Sequence, residues 1–321
     1  MIQAAIIGGG GYTAGELIRL LIQHPLVSTF EVVSNSQAGK FLYEVHPGLL
    51  GESFLQFQAA LSSDPDVLFL CMGHGKSKAW LAQNTIAEHT KVIDLSSDFR
   101  LKADHNPFVY GLAEAYKKEI QQAHYIANPG CFATAIQLAL LPLANAQLIQ
   151  SEVHIQAITG STGAGQNPSE TSHFSWRSGN LSVYKAFNHQ HLGEINQTLK
   201  AHQASGVPAI QFLPLRGNFT RGIFSTLYLD TTEKLADILS LYQETYKEAP
   251  FVWINPNNPD LKEVVNTNKC ILHLEKHNNK LLIISMIDNL LKGASGQAVQ
   301  NMNLLSGFEE TAGLQLKALA F

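Results

Sequence analysis

Through the first ~130 residues, short apolar runs alternate with longer amphipathic stretches, the pattern of β-α-β units on a parallel sheet. The apolar runs place strands near Ala4 to Ile7, Glu31 to Val33, Val67 to Cys71 and Val92 to Leu95. Helices are expected over Ala14 to Gln23, which ends before Pro25, and over Ser77 to Glu88. After Cys131 the runs become longer and more alternating: Val153 to Thr159, Gly222 to Asp230, Lys269 to Glu275 and Lys280 to Ile287. The last two flank His277-Asn278-Asn279, a hairpin turn. This pattern predicts an α/β fold: a doubly wound domain over residues 1–130, then an α+β domain with a mostly antiparallel sheet over 131–295. A last helix over Ser295 to Leu305 is positioned to pack back on the first domain, which assigns 296–321 to it.

Composition narrows the function. With 321 residues, 45% hydrophobic and 15% charged, the chain has material for about two packed domains. A net charge of −4 supplies no broad basic field, so neither nucleic acid nor an anionic membrane surface is expected as a partner. Three scattered cysteines make no disulfide framework or Cys-rich zinc site and fit a reducing cytoplasm. The start, Met1 to Ile7, lacks the basic region of a signal peptide and runs into glycines before reaching a spanning length.

The segment Gly8-Gly9-Gly10-Gly11-Tyr12-Thr13-Ala14-Gly15 follows a strand and opens a helix, where glycines let a pyrophosphate approach backbone N–H groups at the positive helix end. A Rossmann-type dinucleotide site follows, with a ligand-free glycine loop as the alternative. The second strand ends Val33-Ser34-Asn35-Ser36 with no acid for the adenosine ribose, and Glu31 stands too early for it. The small side chains of Ser34 and Ser36 leave room for a 2′-phosphate, which favours NADP.

Cys131 follows a Pro129-Gly130 turn and starts an apolar helical run, so its thiol would sit at a positive dipole end that favours the thiolate. It is the candidate nucleophile. Cys71 and Cys270 lie in hydrophobic strands and read as inert core. His189-Gln190-His191-Leu192-Gly193-Glu194 opens a helix on which His191 and Glu194 share a face, suiting an imidazole proton donor oriented by a carboxylate. A metal site or a surface cap are the other readings, but no clear third ligand stands nearby. The Gly160 to Gly165 cluster could bring backbone N–H groups to a nicotinamide or a substrate anion, or be a flexible loop. Arg221 is a candidate anion clamp.

These motifs, in this order, resemble the N-acetyl-gamma-glutamyl-phosphate reductases, relatives of aspartate-semialdehyde dehydrogenase. The likeness is carried by Gly11-Tyr12-Thr13, Ile93 to Arg100, Tyr110-Gly111-Leu112, Ala127-Asn128-Pro129-Gly130-Cys131, the Gly163-Ala164-Gly165 cluster, His189 to Ile195, Thr220-Arg221-Gly222 and Ile287 to Asn303. It implies an NADPH-dependent reductase acting on an acyl phosphate with release of inorganic phosphate. Cys131 would form a thioester, and His191 or His189 would transfer the proton. Gly8, Gly11, Tyr12, Thr13, Ser34, Ser36, Gly163 and Asn289 would contact the cofactor, and Asn128, Glu194 and Arg221 the substrate. No metal is implied. The second domain would be catalytic and would build a dimer or tetramer. The chain departs from the family pattern at Ala14-Gly15, Gly73, Ser34-Asn35-Ser36, Gln190, Leu215 and Asn218. An aspartate-semialdehyde dehydrogenase or a related amino-acyl-phosphate reductase is the enzymatic alternative, and a non-catalytic NADP-binding sensor the alternative of another class.

Overall fold

The structure, a computed structural model, describes residues 1–319 and divides into two units: Met1–Pro129 with Ala294–Gln315, and Gly130–Gly293 with the tail from Leu316. In the first unit, β1 (Ile2–Ile7), β2 (Val27–Val33), β3 (Val67–Leu70), β4 (Lys91–Asp94), β5 (Val109–Tyr110) and β6 (Tyr125–Ala127) form an all-parallel sheet in the order β2-β1-β3-β4-β6-β5. The near-continuous apolar runs of β1 and β3 are those of strands covered on both faces. Because β1 lies between β2 and β3, where the strand order reverses, its carboxyl end opens at the switch point.

The helices of this unit are α1 (Tyr12–Ile22), a short α2 (Leu42–Val45), α3 (Lys76–Gln83) and α4 (Ala113–Gln122). The α3 helix stops short of Glu88, because Asn84 turns extended and its amide donates to the Trp80 carbonyl. Strand β2 begins four residues before its apolar run: at the sheet edge Ser28 and Thr29 face solvent, so hydrophobicity does not mark them.

The second unit opens with α5 (Cys131–Asn145), buried from Phe132 to Ala144. Then come β7 (Val153–Thr159), α6 (Phe174–Arg177), β8 (Ser182–Val183), α7 (His191–His202), β9 (Ile210–Arg216), β10 (Ile223–Asp230), α8 (Leu235–Tyr246), β11 (Val252–Ile254), β12 (Cys270–His277) and β13 (Lys280–Ile287). The strands form one mixed sheet, β11-β12-β13-β10-β7-β9-β8, in which only the β11–β12 and β7–β9 pairings are parallel. The β12–β13 hairpin closes on two residues, Asn278 and Asn279, with Asn278 at φ 52° as a tight turn of this hand demands.

Helix α5 packs on α7, β10 and β13. Its proline is accommodated locally. Pro142 offers no N–H to the Leu138 carbonyl, and the Tyr246 hydroxyl donates there instead, while Tyr242 donates to Ala139 O. Gln137 donates to Glu194 O and Thr198 Oγ1 on α7, both at 2.9 Å, and Ser285 Oγ of β13 donates to Ala135 O.

After β13 a π-helical turn, Leu291–Ser295, leads into α9 (Gly296–Leu305). This helix packs on α1, α4 and β4 of the first unit and is buried along its whole length. Two of its buried amides reach neighbouring elements: Asn301 Nδ2 donates to Gly111 O and Asn128 Oδ1, and Asn303 Oδ1 meets His24 Nε2 at 3.0 Å. The tail from Leu316 groups with the second unit, where Asn266 Nδ2 donates to Lys317 O.

Candidate active site

In the first unit, the Gly8 and Gly9 N–H groups both donate to Val33 O, and Gly8 takes φ 87°. A side chain at Gly9 would reach 2.2 Å from Val32, whereas space above Gly11 is open to 4 Å. Gly11 caps α1 without any side-chain hydrogen bond, and the first turn of α1 carries no acid. A bare, positive helix end above a floor only glycine can form fits a dinucleotide pyrophosphate. Tyr12 is exposed, and Ser34 Oγ faces Gly10. Glu31 is taken up by Ser62 and Ser63, leaving no carboxylate at the end of β2. Ser36 is exposed and Thr13 O accepts from Ser295.

The Ala14-Gly15 departure has a physical reason. A Cβ at Gly15 would lie 2.7 Å from the His46 ring, whose Nε2 sits 2.8 Å from the Gly9 carbonyl. Gly15 makes room for an imidazole that braces the glycine turn. Gly15→Ala should therefore destabilise by about 1 kcal/mol, instead of giving the usual helix gain, and weaken dinucleotide binding several-fold. Thermal melts and a cofactor titration check this; a more stable variant with unaltered binding would show that His46 braces nothing.

In the second unit, Cys131 is the first residue of α5. The Gly130 N–H donates to Glu194 Oε2 at 2.8 Å, and Glu194 Oε1 lies 3.9 Å from His191 Nε2. A Cβ at Gly130 would stand 2.4 Å from His191 Nε2, so the imidazole occupies the space a side chain would take beside the cysteine. Gly293 also approaches closely, and a Cβ there would meet that of Cys131 at 2.8 Å. Glu194 is 3% exposed, its carboxylate enclosed between His191 and the start of α5. Cys71 differs: burial first, then the Asp94 charge, pushes its thiol far up, so it stays protonated. Cys270 is buried in β12. The three cysteines form no disulfide, and the described residues contain no metal-binding cluster of His, Cys, Asp and Glu.

The two histidines differ. Their rings are 4.6 Å apart, edge to face, both against Phe132. His189 Nδ1 accepts the His191 backbone N–H, and burial, helped by Lys185, pushes its pKa down to about 4. His189 is thus neutral across the physiological range. Because 6.5 is its ordinary value, the unfolded chain binds the extra proton first. His189 should cost stability progressively as pH falls from about 6.5 to about 4 and nothing above that window. An NMR titration should show no His189 transition between about pH 5 and 9; a midpoint near 6.5 would contradict this.

Arg221 is tied to buried Asp288 by Nε at 3.1 Å and Nη2 at 3.0 Å. Asn289 accepts from Gly222 N and donates to Thr162 Oγ1, pinning the loop that carries Gly163 to the start of β10. In the first unit, Asn128 is 1% exposed and bonds Ala294 O and Asn301.

One residue that sequence reasoning missed is Tyr184, whose ring lies 5.7 Å from His189. Burial, and next the charge at Cys131, push its hydroxyl pKa up. The Arg216 guanidinium covers its face at 4.8 Å. Two non-glycine residues with positive φ, Lys185 and Phe187, set the path from Tyr184 to His189.

Residues 3–123 match the NAD binding domain of semialdehyde dehydrogenases, and 131–289 their dimerisation domain. The aspartate semialdehyde dehydrogenase II of Vibrio cholerae, complexed with ASA, superposes with TM-score 0.76 at 16% identity, covering 96% of this chain and 98% of that one. The Candida albicans aspartate semialdehyde dehydrogenase with NADP gives 0.69 at 14%, covering 95% and 98%. Both show the fold. Over the full length of both chains, the N-acetyl-gamma-glutamyl-phosphate reductases of Azobacteroides pseudotrichonymphae and Parabacteroides distasonis are 57% and 56% identical. With this cysteine, these histidines and this glycine turn in place, the chain belongs to the N-acetyl-gamma-glutamyl-phosphate reductase family of nicotinamide-dependent oxidoreductases.

Proposed function

We propose that the chain catalyses NADPH-dependent reduction of N-acetyl-L-glutamyl 5-phosphate to N-acetyl-L-glutamate 5-semialdehyde, a step of arginine biosynthesis, through a Cys131 thioester. The first unit would hold the dinucleotide, and the second would carry the chemistry and join copies into a dimer or tetramer in the cytoplasm. The observation that carries the reading is the cysteine at the first position of a buried helix with His191 filling the space beside Gly130 and Glu194 holding both. Ser34 and the acid-free end of β2 favour NADP.

Cys131 Sγ attacks the acyl carbonyl, the bond to the phosphate oxygen breaks, and inorganic phosphate departs with the electron pair. When bound, the reduced nicotinamide supplies a hydride. Backbone N–H groups in the first turn of α5 would steady an oxyanion on the carbon attached to Cys131. His191 protonates that oxygen, and Glu194 orients the imidazole. Loss of the hydroxyl proton and cleavage of the C–S bond then release the aldehyde and restore the thiol. His189, neutral and accepting the His191 N–H, positions its neighbour.

The test runs the reaction backwards, following NADP reduction with each semialdehyde in the presence of phosphate. N-acetylglutamate semialdehyde should be oxidised only with phosphate present. Faster oxidation of aspartate semialdehyde would replace this reading.

A further inference from the structure

The reaction above needs grips for two anionic ends of the substrate, a carboxylate and a phosphoryl group, and Arg221 is committed to Asp288. A second pair of arginines stands beside the histidines. Arg177, 7% exposed, directs its guanidinium to the carbonyls of Thr171 and Arg216, to Ser182 Oγ and over the Trp176 ring. Arg216, at the end of β9, lies on Tyr184 and donates Nη1 to Thr171 Oγ1 at 3.2 Å. Its Nε is buried without a hydrogen-bond partner. Neither arginine is in an ion pair among the described residues, and burial, then the charge of Arg216, pull the Arg177 pKa down. Two like charges held together in a partly dehydrated place are costly unless an anion joins them. Edge-to-face rings lead from this pair to the proposed chemistry: Tyr184 to His189 at 5.7 Å, and His189 to His191 at 4.6 Å.

We propose that Arg216, braced by Arg177 and seated on Tyr184, binds an oxyanion of the substrate and thereby sets which acyl phosphates and semialdehydes the enzyme accepts. The fork of a guanidinium fits a carboxylate or phosphoryl oxygen pair. Arg177 holds the Arg216 backbone through the 2.7 Å bond to its carbonyl, which makes Arg177 a positioning residue.

This inference rests on the reaction proposed above, and one experiment separates their failures. Wild type, Arg216→Met and Arg216→Gln are assayed in the oxidative direction, varying N-acetylglutamate semialdehyde and inorganic phosphate in turn, with NADP binding and circular dichroism measured alongside. Losing one charge-assisted contact should raise one KM about ten- to a hundredfold while leaving NADP binding within about twofold. A rise for the semialdehyde assigns the carboxylate; a rise for phosphate assigns the phosphoryl group. Both KM values within about twofold of wild type overturn the site, as does failure of both variants to fold, which would make the guanidinium structural. A wild type that oxidises neither semialdehyde refutes the reaction itself, and the inference with it.

Discussion

Cys131→Ser is expected to lose turnover in both directions by roughly a thousandfold or more, while binding the dinucleotide as the wild type does. A serine hydroxyl at neutral pH is a far weaker nucleophile than a thiolate, and the ester it could form is a poorer hydride acceptor than a thioester. The glycine turn, Ser34 and His46 all belong to the first unit and do not involve this side chain, so the dinucleotide titration should not change. Nor should the fold, since the substitution removes little volume from a half-buried position at a helix start. Steady-state rates and a dinucleotide titration on one preparation decide the matter. Residual turnover within tenfold of wild type would remove Cys131 from the chemistry.

The second large effect concerns a residue with no side chain. Gly130→Ala would put a methyl 2.4 to 2.7 Å from three atoms of the His191 ring. The Gly130 φ of −71° suits alanine, so backbone strain plays no part. Overpacking of this kind costs about 1–3 kcal/mol, and the imidazole can escape only by leaving both Glu194 and the neighbourhood of Cys131. The loss of a positioned proton donor then lowers kcat by about a hundredfold or more. Thermal melting separates the two consequences. A folded Gly130→Ala protein with normal kcat would mean that His191 does not act from this position.

Much of the chain announced itself locally. The β1–glycine–α1 unit, the Cys131 helix and the β12–β13 hairpin are each specified within a short contiguous stretch, where periodicity and turn chemistry agree. Strand β9 escaped notice because Pro214 interrupts it, although it lies between β7 and β8. Helix α8 and strand β11 follow polar stretches and borrow their order from packing on β12 and α5. The pairing of His191 with Glu194 was visible as helical spacing, but what distinguishes His189 was not, since its burial comes from rings far along the chain, such as Phe212. Arg221 reads as an anion contact from its place before a strand, and Asn289 as a cofactor contact only through the family resemblance. Asp288, which takes up Arg221, is a partner that only the folded chain brings near. The same holds for Arg216 and Tyr184, thirty-two residues apart and joined by the β8–β9 pairing.

Helix α9 also bears on how the protein is made. It is made after the whole stretch from Gly130 to Gly293, yet it packs on α1 and α4 and supplies the partner for His24. Until then the first 129 residues carry a complete parallel sheet whose helices lack their cover, while the second unit already has its continuous body from Gly130 to Gly293 and lacks only the residues from Leu316. Synthesis from the N-terminus therefore reverses the usual order of maturation: residues 130–293 can pack together before the first unit is covered, and the first unit waits for α9. Chains stalled before Ala294 should expose apolar surface on α1 and α4, making them targets for chaperones and proteases rather than half-finished enzyme.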